Sequence, residues 1–269
     1  MTSTQETERH KVALVTGASS GIGLELARIF ARHGYNLVLV ARNQTKLNDL
    51  SKEVVGKNNV AVTVLAKDLA VTSAPSEIYE QLQRESMSVD ALVNCAGFGT
   101  LGSFSGAGVS TQLSMIQVNV IALTQLTHLF LGEMLKRGRG KILNVASTAA
   151  FEPGPFMAVY YATKAYVLSF SEAIANEVRG TGVTVTTLCP GPTQTSFQDS
   201  AQMQKTRLFN SPPLKAMPAE AVAKVGYEGL MSGKTVVIPG AMNNLGVLGV
   251  KLMPRSWAAN LVRGLHEPA

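Results

Sequence analysis

The sequence predicts an α/β fold, a doubly wound parallel sheet with helices on both faces. Three observations carry this expectation. Short apolar runs of strand length recur along the chain, and most are separated by amphipathic stretches of helical length. Strand and helix alternating in this way favour parallel pairing, because each crossover lays a helix back on the sheet. The 269 residues are 46% apolar, which is enough for a large core. No repeat, low-complexity stretch or Pro/Ser-rich linker divides them, so one domain is expected.

The elements can be justified in chain order. Met1 to His10 are polar, lack an apolar signal region and read as a loose tail on a cytoplasmic protein. Val12–Thr16 is a buried-strand run, and Leu24, Ala27, Ile29 and Phe30 begin a helical period directly after it. The turn between them is Thr16-Gly17-Ala18-Ser19-Ser20-Gly21-Ile22-Gly23. Glycines at a strand-to-helix turn let the backbone approach a pyrophosphate while the N–H groups of the helix start face it, so this loop can hold a dinucleotide.

The second strand, Asn36–Val40, ends in Ala41-Arg42-Asn43. A carboxylate there would hydrogen-bond the ribose hydroxyls of NAD and repel a 2′-phosphate. The chain offers Ala41 and then Arg42, which can fork onto a phosphate with Ser19 as a supporting donor, so NADP(H) is the expected cofactor. A solvated loop cation is the alternative reading of Arg42. Ala61–Ala66 is the third strand, followed by Asp68, which could equally cap a helix. Ala91–Asn94 is the fourth.

Lys141–Ser147 is the fifth strand and places Ser147 at its end, beside the crevice. Thr184–Leu188 and Thr235–Ile238 complete the set. Between them, Tyr160 and Lys164 lie one turn apart on one helix face. A phenol titrating near 10 works poorly at neutral pH unless a fixed cation favours its phenolate, and Lys164 is placed to do that. Tyr161 has no lysine four residues on and should point roughly 100° away.

These segments together resemble the short-chain dehydrogenase/reductase family over nearly the whole chain. The collinear matches are Thr16 to Gly23, Asp68-Leu69, Asn94-Cys95-Ala96-Gly97, Asn119, Ser147, Tyr160 with Lys164, and Pro190-Gly191. Cys95 departs from the family pattern, which usually has a second asparagine there. The resemblance implies a Rossmann-type sheet of seven strands in the order 3-2-1-4-5-6-7 and hydride transfer between nicotinamide and a carbonyl or alcohol. Tyr160 would be the proton donor and acceptor, Ser147 the holder of the carbonyl oxygen, and Lys164 the group that lowers the Tyr160 pKa and grips the nicotinamide ribose. Asn119 would anchor a water behind Lys164, although an asparagine in a helix can also serve a local backbone group.

The resemblance further assigns Gly17, Ser19, Ser20, Gly21, Ile22 and Gly23 to the cofactor phosphates, and Asp68 and Leu69 to the adenine edge. Asn94, Ala96 and Gly97 fall by the adenosine ribose. Pro190, Gly191, Thr193 and Thr195 fall near the carboxamide. Assembly through the fourth and fifth helices, here about Gln112–Lys136 and Tyr160–Thr181, would give a homodimer or homotetramer.

The substrate pocket should be lined from Phe98–Leu101, Thr148–Met157 and the loop Pro192–Leu214. Phe151, Phe156, Met157, Phe197, Met203 and Phe209 favour an apolar or amphipathic carbonyl compound, though several could be ordinary core. The 192–214 loop has no periodicity of its own and reads as a mobile lid. The extension 240–269 includes a basic, apolar tail, Lys251–Leu265, expected to pack on its own domain or a second subunit rather than on a membrane.

Other classes are disfavoured. A net charge of +6 spread along the chain does not suggest nucleic acid. Val236–Met253 is broken by Pro239, Asn243, Asn244 and glycines, which makes a poor spanning helix, so no stable membrane insertion is expected. Cys95 and Cys189 read as buried free thiols, and His10, His33, His128 and His266 read as surface or helix-face residues without ligand spacing, so no metal is assigned. Two rival readings remain: a regulator that senses NADPH without turnover, and a peripheral membrane protein.

Overall fold

The computed structural model describes residues 11–201, 206 and 216–267. The polar tail Met1 to His10 lies outside the described residues. Strands β1 (Val12–Thr16), β2 (Asn36–Ala41), β3 (Val62–Ala66), β4 (Ala91–Asn94), β5 (Gly140–Val145) and β6 (Val183–Leu188) alternate with helices. These are α1 (Gly21–Arg32), α2 (Gln44–Asn58), α3 (Ala74–Arg84), α4 (Val109–Ile116), α5 (Leu123–Lys136) and α6 (Ala158–Glu177). After them come β7 (Thr193–Gln194), α7 (Phe197–Ser200), β8 (Met217–Pro218), α8 (Ala219–Met231), β9 (Val236–Val237), α9 (Ala241–Leu252) and α10 (Arg255–His266).

The main sheet has seven strands in the order β3-β2-β1-β4-β5-β6-β9, all paired in parallel. The expected order therefore stands, with the last position taken by the ninth strand in sequence. β7 and β8 pair with each other outside this sheet and close the neck of the excursion that leaves β6. β1 pairs with both β2 and β4, so the direction of winding reverses there. In an open parallel sheet the crevice for a ligand opens at such a reversal, beyond the carboxyl ends of the strands.

Period-2 alternation explains the two faces. Ala13, Val15, Leu37, Leu39, Val93 and Leu143 point to one side and pack with Leu26, Phe30, Leu47, Leu50, Val222 and Leu230 of α1, α2 and α8. Val12, Leu14, Val38, Val40, Leu92 and Ile142 point to the other and meet Ile78, Leu82, Leu126, Phe130 and Met134 of α3 and α5. Both faces of the central strands β1, β2 and β4 are buried, which is why these runs are nearly continuously apolar rather than alternating.

Boundaries differ from expectation where function matters. β5 ends at Val145, so Ser147 lies past the strand and instead precedes a short 3-10 turn, Thr148–Phe151, with its Oγ accepting from Ala149 N–H at 3.1 Å. The last strand shrinks to Val236–Val237. Asp68 is not a helix cap: Ser73 holds the position before α3, and Asp68 Oδ1 accepts from Ala70 N–H at 2.9 Å. α4 and α5 join through a π-helical segment, Gln117–Ala122. The run Val109–Lys136 is long and apolar enough to cross a membrane by length and composition, but Met115, Ala122, Leu126, Phe130 and Met134 on its inner side are buried.

Candidate active site

One cleft of about 710 Å³ runs along the carboxyl ends of the strands. Its floor is the glycine loop. Gly17 has φ +70°, and a Cβ there would meet Ala96 N at 2.9 Å, so β1 and β4 approach this closely only with glycine. A Cβ at Gly23 would collide with the Gly17 carbonyl, which fixes how tightly α1 starts. Ser19, Ser20, Gly21 and Ile22 line the same floor, and no side chain caps the start of α1. The first N–H groups of that helix therefore remain available to an anion.

The end of the cleft beyond β2 and β3 is bounded by Arg42, Lys46, Lys67, Asp68 and Leu69. Arg42 and Lys46 are exposed, while Lys67 donates to Glu77 at 2.6 Å. Ala41 leaves no carboxylate at the end of β2, and Lys67 is already paired with Glu77, so Arg42 and Lys46 stand as exposed cations here beside Asp68. Lys46, in the first turn of α2, lines the cleft as well and was not singled out in the sequence.

Ala96 and Gly97 line the middle of the cleft, and Asn94 does not. Asn94 is 3% exposed and donates to Thr127 Oγ1 at 3.0 Å and Asn144 Oδ1 at 2.9 Å. Its side-chain amide is thus spent on tying β4 to α5 and β5. The neighbouring Thr16 hydroxyl was missed in the sequence. It donates to Val93 O and accepts from Cys95 N–H and Ala96 N–H at 3.0 and 3.1 Å, pinning the β4 end to β1. Cys95 and Cys189 are free thiols, and burial pushes both up to about 12.

At the far end Ser147, Tyr160 and Lys164 come together. Tyr160 and Lys164 lie on successive turns of α6, with Lys164 Nζ 5.8 Å from the Tyr160 ring centroid and donating to Val145 O at 2.8 Å. Burial pushes the Tyr160 hydroxyl up to about 12, and its hydrogen-bond contact with Ser147 acts the other way. Burial also lowers Lys164 to about 8. The expected depression of Tyr160 by Lys164 is therefore not what governs this tyrosine, because desolvation outweighs the other contributions.

Asn119 sits in the π-helical segment and does not line the cleft. Its Oδ1 accepts from Phe98 N–H at 3.1 Å, and its Nδ2 donates to Phe98 O at 2.9 Å and Thr163 Oγ1 at 3.1 Å. Thr163 Oγ1 in turn donates to Tyr160 O at 2.7 Å. The side chain thus clamps the cleft wall to α6, with its amide engaged by protein groups. Gly97 fits against it, since a Cβ there would lie 3.0 Å from Asn119 Oδ1.

Pro190 O accepts from Ser147 Oγ at 3.3 Å, and Gly191 abuts Asn243 so closely that a Cβ would collide. Thr193 Oγ1 donates to Gly191 O at 2.9 Å. Thr195 reaches over Gly21, and Ser196 Oγ donates to Ser20 Oγ at 3.2 Å. The described start of the proposed lid therefore lies across the glycine loop. Phe197 stands 5.3 Å from the Tyr160 ring. Met203, Phe209 and most of 202–214 lie outside the described residues.

Phe98, Met157 and Phe197 line the cleft near Tyr160, while Phe151 and Phe156 do not line it. Phe151 packs beneath Lys251 and Phe156 beneath Arg263, with cation-to-centroid distances of 4.8 and 5.4 Å. Gly99 and Glu152 belong to the segments expected to line the pocket, whereas Tyr161 was expected to point away from it. Gly99 touches the site so closely that a Cβ would lie 2.9 Å from Tyr160 Cδ2. Glu152 is half-buried in the lining, and burial raises its carboxyl to about 7. Tyr161 is buried and lines the cleft, with its hydroxyl 3.1 Å from His266 Nε2. His266 is 3% exposed on the inner face of α10, so of the two expected settings, surface or helix face, it takes the second. Among the described residues no cluster of three or more His, Cys, Asp or Glu could hold a metal.

A reversal-point crevice with a glycine floor and a Ser, Tyr and Lys group defines a nicotinamide-dependent oxidoreductase. The short chain dehydrogenase model matches residues 11–206, and the chain belongs to that family. It is 33% identical over 215 residues to the ketoacyl reductase HetN of Nostoc, covering 80% of this chain and 74% of that protein. The mouse very-long-chain 3-oxoacyl-CoA reductase is 28% identical over 262 residues, covering 95% and 79%. The short-chain dehydrogenase from Sphingobium yanoikuyae in complex with NADPH superimposes with a TM-score of 0.80 at 30% identity over 89% of this chain and 92% of that one. A 7β-hydroxysteroid dehydrogenase does so with a TM-score of 0.85 at 25% identity, over 94% and 96%.

Proposed function

We propose that the chain is an NADP(H)-dependent reductase of apolar or amphipathic ketones or aldehydes, with Tyr160 as the proton donor. The observation that carries this reading is the meeting of Ser147, Tyr160 and Lys164 at one end of a cleft whose floor is the glycine loop. Arg42 and Lys46, with no carboxylate at position 41, suit a 2′-phosphate. NADPH in the Sphingobium relative supports the same choice.

The nicotinamide, when bound, supplies the hydride. Tyr160 donates its phenolic proton to the carbonyl oxygen; at about 12 it is held as the acid at neutral pH. Ser147 Oγ, beside it, holds the same oxygen as negative charge develops. Lys164, buried with its ammonium near the Tyr160 ring, stabilises the phenolate left behind and is placed to meet the ribose hydroxyls. Asn119 positions the group through Thr163 and Phe98 rather than touching the reacting atoms. Thr193, Thr195, Pro190 and Gly191 close the carboxamide end.

Met157, Phe98 and Phe197 favour an apolar or amphipathic substrate, and the ketoacyl and hydroxysteroid relatives act on molecules of that kind. Reduction is the favoured direction with NADP(H). A cytoplasmic enzyme is proposed, assembling through α4, α5 and α6, where Val109, Leu113, Ile121 and Tyr166 stand exposed. A regulator that only senses NADPH would have no need of Ser147, Tyr160 and Lys164 in one cleft. The test is absorbance of NADPH and then NADH across a panel of ketones, aldehydes and sugars. Faster loss of NADPH on apolar carbonyls supports the reading; best turnover on polar sugars, or with NADH, contradicts it.

A further inference from the structure

The last two helices turn apolar side chains both inward and outward. On α9, Val247 is the buried position. On the opposite side Met242, Leu245, Leu248 and Leu252 are 53, 62, 56 and 80% exposed. These four fall within an arc of roughly 120°, and no charged residue of α9 lies inside it. A surface helix normally puts its polar face there. On α10, Ala258, Val262 and His266 face the domain, while Trp257 and Leu261, one turn apart, look outward at 66 and 50% exposure.

The charges beside this face have one sign. From Ser232 to His266 the sequence contains Lys234, Lys251, Arg255 and Arg263 and no Asp or Glu. The next acid is Glu267, 3.9 Å from Arg263. Lys251 and Arg255 are exposed and bracket Leu252, the most exposed leucine of the row.

We propose that the outer face of α9 and α10 docks in the plane of an anionic lipid bilayer. The Leu and Trp side chains enter the boundary between headgroups and acyl chains, and the Lys and Arg side chains meet the anionic headgroups. A second copy of the chain fits less well, because self-docking would bring these cations together with little acid to offset them. The docked helices are continuous with the cleft: Val262 packs with Tyr161 and Met157, and Leu265 lines the substrate end. Docking therefore sets the lipid beside the wall of the pocket, a suitable position for an enzyme whose carbonyl substrate dissolves in the membrane. The docking itself does not depend on the reductase reading.

Trp257 is the only tryptophan in the chain, so its fluorescence reports this face in the unaltered protein. The full-length protein is titrated with phosphatidylcholine vesicles and with vesicles that also contain phosphatidylglycerol, with and without brominated acyl chains. The expected result is a blue shift and bromine quenching on anionic vesicles, with affinity roughly tenfold or more weaker on neutral ones or at high salt. L245E with L248E should lose the shift. K251E with R255E should lose only its anionic preference, and both should keep NADPH binding as a check on folding. Absence of a shift on anionic vesicles, a shift without quenching, or a shift produced by protein concentration alone with a doubled mass by light scattering would overturn the proposal.

Discussion

The Tyr161 hydroxyl donates to His266 Nε2 at 3.1 Å, joining the substrate end of the cleft to the last turn of the final helix. The tautomer follows from the other nitrogen. His266 Nδ1 lies 2.7 Å from Pro155 O, which can only accept, so Nδ1 carries the proton and Nε2 is the acceptor. Tyr161 thus has a structural task distinct from that of Tyr160 beside it. Y161F should leave turnover nearly intact and lower stability by about 1–2 kcal/mol, because His266 Nε2 loses its donor. Thermal or urea unfolding checks this.

The same pair makes docking of α10 sensitive to acid. Burial lowers the His266 pKa below its ordinary 6.5. The unfolded chain then binds the proton more readily than the folded one, so stability falls as pH drops through 6.5 and continues to fall until the folded-state value is passed. In H266N, whose side chain does not titrate, this part of the acid loss should disappear. Unfolding midpoints between pH 7 and 5 would reveal it, and a parallel loss in both proteins would count against it.

Glu152 has the opposite sign. Its folded value, about 7, lies above the ordinary carboxyl value, so the folded state holds the proton more tightly and stability declines as pH rises from 4.5 through 7. E152Q should therefore stabilise the protein at pH 8, by of order 1 kcal/mol after solvent screening, and have little effect at pH 4.5. Denaturant midpoints at the two pH values are the measurement.

Gly99 should act on the chemistry through space alone. In G99A the new methyl would sit 2.9 Å from Tyr160 Cδ2 and about as close to Phe197 and Met157, so the tyrosine must shift. A shift of this size should lower kcat roughly tenfold or more while NADPH affinity stays nearly unchanged. Steady-state kinetics with a parallel binding titration separates the two.

Cofactor preference should follow the end of β2. A41D with R42L removes the cation and restores a carboxylate, and should move the NADPH-to-NADH ratio of kcat/KM by roughly 10- to 100-fold toward NADH, the equivalent of a charge-assisted hydrogen bond or two. An unchanged ratio would mean that Lys46 and Lys67, rather than Arg42, carry the selection.

Much of this was legible in the sequence because it is local. The glycine loop needs only the strand before it and the helix after it, and Tyr160 with Lys164 needs only one helical turn. The strand order came from the family resemblance, not from periodicity. The side-chain partners of Asn94 and Asn119 were not legible because they are set by tertiary contacts: Asn94 bonds across to β5 and α5, and Asn119 to Phe98 and Thr163. The partners of His266 could not be foreseen either, since they lie 105 and 111 residues away. Gly99 and Glu152 carry no spacing signal; they matter only because the fold brings them to the cleft.

The central claim is that Tyr160 moves the proton. The most direct measurement is NADPH oxidation by Y160F on the best carbonyl substrate, with NADPH affinity measured alongside. The account predicts a loss of turnover of roughly 10²- to 10⁴-fold with cofactor affinity close to that of the unaltered protein. Turnover that survives in Y160F, with binding intact, would contradict it.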